Sequence, residues 1–99
     1  MTTQREDLLT QISHLEALIK TQQDKYNLAT KSLAETQASI AVTKTASQVG
    51  HFQLTARDLQ EFRHAVNNSV QSVTEALEGL GEMQLALRAL KDALIMLPD

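Results

Sequence analysis

Cysteine and tryptophan are absent from this chain, proline occurs once, glycine three times, and aromatic residues make up only 3% of it. Without cysteine there is no disulfide framework and no thiolate, which excludes a stapled secreted miniprotein and cysteine-based chemistry. The single proline is Pro98, so no proline interrupts a helix, and the turn residues that a sheet protein needs are too few. The first twenty residues hold no uncharged apolar run of signal-peptide length, and nothing later approaches a membrane span. The expectation is a cytoplasmic protein with no membrane span. An excess of positive charge is also missing: the formal net charge is -3, which removes the electrostatic footprint of a protein that neutralises many phosphates and argues against nucleic acid as a partner. Residues 1–50 balance five bases against five acids, so the whole net charge lies in the second half.

What the chain does have is apolar periodicity. Leu8, Ile12, Leu15, Ile19, Tyr26, Leu33 and Ile40 fall on one strict register of alternating fours and threes. After Gly50 a second stripe begins: Leu59, Phe62, Val66, Val70, Val73, Leu77, Leu80, Leu87, Leu90 and Leu94. Two long amphipathic helices joined by a short break follow from this pattern, and so short a break folds them back as an antiparallel hairpin. The predicted fold is all-α, one domain over residues 1–99, with helices at about 4–48 and 54–97.

The ends of both helices carry start and stop signals. Thr3 and Glu6 have the spacing of a capping box, and Thr55 with Asp58 offers a weaker version of it. Gly50 suits the left-handed residue that ends a helix, and Leu97 before Pro98 marks the end of the second. Seven Ser or Thr residues between Thr30 and Ser47 lower the intrinsic helix propensity of that half of helix one, so packing must hold it. In the second stripe, the spacing around Val66, Val70 and Val73 reads as a stutter, where supercoiling relaxes. Gly79 and Gly81 leave two readings open: small residues that admit a neighbouring helix, or a break at 79–81 that creates a third short helix from Glu82 to Leu97.

A hairpin turning near residue 50 pairs residues whose numbers sum to about 101, which sets Ile40 near Phe62 and Ile19 near Glu82. Its free end then carries more apolar side chains than one seam can use. Leu9, Leu18, Leu85, Ile95 and Met96 are the surplus, and they are the predicted partner-binding residues. Two helices give only a thin seam, so self-association into a four-helix bundle, or co-folding with another helical protein, is the expected use of that surplus. A third helix folding down over Leu9 and Leu18 is the alternative within one chain.

The histidines and the glycine pattern are the places where chemistry could reside. His14, His51 and His64 include no pair at the four-residue spacing of a helical metal site. Glu61-Phe62-Arg63-His64 matches the Glu-x-x-His unit that ferritin-like di-iron bundles use twice. In length and two-helix plan the chain also resembles small encapsulated-ferritin-like proteins. That resemblance implies a metal-binding oxidase in which a symmetric dimer supplies Glu61 and His64 twice. Helical geometry opposes it: Glu61 stands about 100° and His64 about 160° from Phe62, away from the seam. The stripe of helix one supplies no carboxylate either. Gly79-Leu80-Gly81 lacks a preceding strand and is no phosphate loop. The secreted Trp-Xaa-Gly hairpins have a mid-chain glycine turn too, but here the turn reads Gln48-Val49-Gly50, without the tryptophan. Gln71, Glu75, Glu78 and Glu82 form an acidic stripe, most simply a solvated face. Residues 85–97 have only Arg88 and Lys91 as cations against Asp92 and Asp99, too few for adsorption to an anionic membrane. The sequence therefore predicts a non-enzymatic helical interaction protein without metal or cofactor.

Overall fold

The computed structural model describes residues 3–50 and 52–98; His51 lies outside them. Two helices, α1 (Gln4–Gln48) and α2 (Ala56–Ile95), pack against each other as an all-α helical hairpin, with no strand among the described residues. At 1.5 Å per residue their axes run about 67 and 60 Å.

Local chemistry accounts for every boundary. At the start of α1 the Glu6 N–H donates to Thr3 Oγ1 (3.1 Å) and the Thr3 N–H to Glu6 Oε2 (3.3 Å). Both partners of the predicted capping box are thus satisfied. The same reciprocal pair opens α2, with Asp58 N–H to Thr55 Oγ1 at 3.1 Å and Thr55 N–H to Asp58 Oδ2 at 2.9 Å. Hydrogen bonds from the Thr55 backbone and hydroxyl hold the Asp58 carboxyl below the usual carboxylate range. Gly50 ends the first helix at φ +88°, and its N–H returns to the Ser47 carbonyl at 3.1 Å. Ahead of Pro98, the Leu97 N–H reaches the Leu94 carbonyl at 3.3 Å.

In the hydroxyl-rich half of α1 two threonine side chains bond back along the helix. Thr43 donates to the Ser39 carbonyl and Thr45 to the Ala41 carbonyl, both at 2.9 Å. These hydroxyls are satisfied within the helix by the preceding turn, at no gain in helix propensity.

Contacts divide the chain into two compact units, Tyr26–Glu75 and the pair of segments Met1–Lys25 with Ala76–Asp99. In the first unit no described residue is buried; Tyr26, Leu33, Ile40, Phe62, Val66, Ser69 and Val73 are half-covered. Ile40 and Phe62, predicted neighbours, line one open groove there. The second unit holds all the buried residues among those described: Ile12 (7% exposed), Ala76 (9%) and Leu80 (8%).

The structure decides one open reading of α2 and corrects one expectation. The helix runs unbroken through Gly79 and Gly81, so there is no third helix from Glu82 to Leu97. Nor is there a stutter. The covered row on α2 is Phe62, Val66, Ser69, Val73, Ala76, Leu80, Met83, Leu87, Leu90 and Leu94, an uninterrupted alternation of fours and threes. Ser69 and Ala76 take the places that the apolar stripe assigns to Val70 and Leu77, and both Val70 and Leu77 lie exposed beside them. A helix facing an unbroken heptad on α1 stays in contact only by keeping the same repeat.

Candidate interaction surface

In the unit built from residues 1–25 and 76–99 one polar side chain reaches from α1 to the backbone of α2. Gln22 occupies the row of α1 between Ile19 and Tyr26, half-covered, and its Nε2 donates to the Ala76 carbonyl at 3.1 Å. That carbonyl also serves the ladder of α2, so the Gln22 bond is a second bond to the same oxygen. The amide reaches it because Gly79 has no side chain: a Cβ there would stand 2.8 Å from Gln22 Nε2. Gly81, by contrast, has nothing within 4 Å of an added Cβ. Of the two readings of these glycines, Gly79 fits the one in which a small residue admits its neighbour, whereas Gly81 faces open space.

This difference can be measured. Gly81→Ala should stabilise the fold by about 1 kcal/mol through helix propensity alone. Gly79→Ala should gain clearly less, because it displaces the Gln22 amide and the loss of one hydrogen bond offsets about 1 kcal/mol. In a Gln22→Ala background the Gly79→Ala gain should return in full. Urea unfolding of this double-mutant cycle checks the coupling, and equal gains at both glycines in the wild-type background would refute it.

All five predicted partner-binding residues are exposed: Leu9, Leu18, Leu85, Ile95 and Met96. They do not form one patch. Leu9 and Leu18 are nine residues apart on α1, about 180° around the helix, so they flank the covered row on opposite shoulders. Leu85, five residues after buried Leu80 and two before half-covered Leu87, stands on the side of α2 away from α1, at 68% exposure. Ile95 and Met96 continue along that outer side.

The surplus also extends beyond these five. Leu28, Val42 and Val49 on or next to α1, and Leu59, Val70 and Leu77 on α2, are exposed as well. For Leu28, Val42 and Val49 the sequence carries a signal, since each precedes a position of the four-three register of helix one (29, 43 and 50) and the three are spaced by multiples of seven. For Val70 and Leu77 no signal in α2 alone distinguishes them from seam residues.

Glu61 and His64 lie on the outer side of α2, with Arg57 Nε donating to Glu61 Oε1 at 3.2 Å. Both partners of that pair are largely solvated, so its contribution is small. The acidic stripe is exposed, and within it Gln71 Nε2 donates to Glu75 Oε1 at 3.0 Å. Among the described residues no group of three or more histidine, aspartate or glutamate side chains is placed to hold a metal ion. No helix is long and apolar enough to cross a membrane.

No family model, curated protein or solved structure matches this chain. The exposed aliphatic residues are carried on helices and spread over more than one side.

Proposed function

We propose that the chain is a non-enzymatic helical interaction protein, an assembly subunit, adaptor or small chaperone, that acts by burying apolar helix faces against a second copy or another helical protein. One observation carries this reading: the chain exposes 7662 Å². A folded monomer of 10.9 kDa exposes about 5,600 Å². The excess, about 2,000 Å², is more than twice the roughly 800 Å² that each partner buries in an ordinary stable interface. Much of it is aliphatic, as Leu28, Val42, Leu85, Ile95 and Met96 attest. A core with only three described residues below a tenth exposure supplies little stability by itself.

Thermal unfolding followed by circular dichroism at several protein concentrations, combined with light scattering, tests the reading. A melting temperature that rises with concentration is expected for self-association, and a loosely helical monomer for a chain that co-folds with another protein. A stable, cooperatively melting monomer whose midpoint ignores concentration would mean that the hairpin needs no cover, and the proposal would fall.

A further inference from the structure

We infer that this hairpin opens from its turn and not from its ends: residues 26–75 unfold as a unit of their own while residues 1–25 and 76–99 stay paired. The inference concerns a single chain and does not depend on the association proposed above.

A helical hairpin ordinarily frays at its free ends, because the turn holds the residues beside it close together. Burial, bonding and propensity all reverse that order here. Ile12, Ala76 and Leu80, the buried residues among those described, belong to the free-end unit, and residues 26–75 contribute none. Within 26–75 the covered row is diluted with hydroxyls: Thr36, Thr43, Ser47 and Ser69 hold half-covered positions. Ile40, Leu59, Phe62 and Val66 there line a groove open to solvent. The free-end row carries one polar side chain, Gln22, and its amide donates to the Ala76 carbonyl, joining α1 to α2. Among the described residues of 26–75, every side-chain hydrogen bond and ion pair stays within one helix or its cap.

Helix propensity falls in the same place on both helices. Seven hydroxyl residues lie between Thr30 and Ser47 on α1, and eight of the nine residues 66–74 on α2 are Val, Asn, Ser or Thr. Each of these types forms helix less readily than Ala, Leu, Glu, Lys or Arg. From Glu82 to Leu94, by contrast, every residue but Asp92 is a strong helix former. Opening the turn half leaves a loop whose ends the free-end unit still holds. The entropy of closing such a loop grows only as the logarithm of its length, so the tether removes a small part of the backbone entropy that the opened residues gain. A segment with few buried apolar contacts and weak propensity is what opens below the global transition. Opening uncovers Tyr26, Leu33, Phe62 and Val73 together while the two ends stay joined.

Native-state hydrogen exchange of the full chain across low urea concentrations reads the two openings separately. Amides of 30–47 and 62–74 should be protected at least about tenfold less than those of 12–22 and 80–90. Their opening should also have the shallower urea dependence, because it exposes less surface. Two substitutions fix the order of events. Ile12→Val weakens the closed and the half-open states alike, so it should lower free-end protection by about fivefold and leave that of 30–47 unchanged. Val73→Ala weakens only the closed state and should lower protection in both units by the same factor. One opening free energy and one urea slope for all amides, no protection in either unit, or free ends that exchange before the turn half would each overturn the inference. So would an Ile12→Val variant that loses protection equally in both units. None of these outcomes bears on association, which the concentration dependence of melting reads by itself.

Discussion

Leu80→Ala should destabilise the hairpin by about 3 kcal/mol, whereas Leu77→Ala, three residues away on the same apolar stripe, should cost less than about 1 kcal/mol. The sequence treats the two leucines alike. In the structure Leu80 is 8% exposed and Leu77 52%. Truncating Leu80 removes buried methyl groups and leaves a space that two helices can only partly close. No described side chain is buried below 2% exposure, so some collapse is available and the cost falls short of the largest known for such changes. For a small chain, about 3 kcal/mol is most of the available stability. Circular dichroism at ambient temperature should therefore show helix loss in Leu80→Ala and near-wild-type helicity in Leu77→Ala. Equal losses would place both residues in the seam and contradict the uninterrupted register of α2.

Ala76→Leu should also destabilise, by about 2 kcal/mol, although an ordinary heptad gains from leucine at such a position. Ala76 is 9% exposed, and its carbonyl receives the Gln22 amide. A leucine there needs space that the Gln22 side chain and the close approach at Gly79 already occupy. Overpacking of this kind forces side chains from their preferred rotamers or the helices apart. Ser69→Leu makes the control, because Ser69 is covered only in part and lies where no described residue is buried. Chemical unfolding should show a clear loss for Ala76→Leu and little loss, or a gain, for Ser69→Leu. A stabilised Ala76→Leu would show that the polar contact is incidental to the seam.

The legibility of this molecule differs from element to element. Helix ends were readable because a capping box is a contact between residues three apart, and the Thr3–Glu6 and Thr55–Asp58 pairs form as their spacing requires. The pairing rule that sums to about 101 was readable too, because a short turn leaves the returning chain little freedom, and Gln22 and Gly79 obey it. The exposed residues Leu9, Leu18, Leu85, Ile95 and Met96 follow from angular position on a helix. The same angular rule sets Leu85 and Met96 on the far side of α2 from Leu87 and Leu94. Nine residues of α1 turn Leu18 to the side opposite Leu9.

What remained hidden concerns choice between neighbours. Along α2, Val70 and Leu77 are better seam residues by hydrophobicity than Ser69 and Ala76, and the structure takes the poorer pair. Gly79 and Gly81 look alike in sequence, and only one of them meets a side chain.

That this chain is two capped helices turning at Gly50, with aliphatic surplus and no cysteine chemistry, is decided by amino-acid order alone, since caps, turns and periodicity act over a few residues. Which side of α2 is covered is decided only when α1 lies against it. The heptad of α1 imposes its own repeat on the facing helix, and the Gln22 amide demands small residues opposite. The shared repeat turns Ser69 and Ala76 inward and leaves Val70, Leu77 and Leu85 on the surface, and at Ala76 and Gly79 the Gln22 amide adds its own demand for small residues.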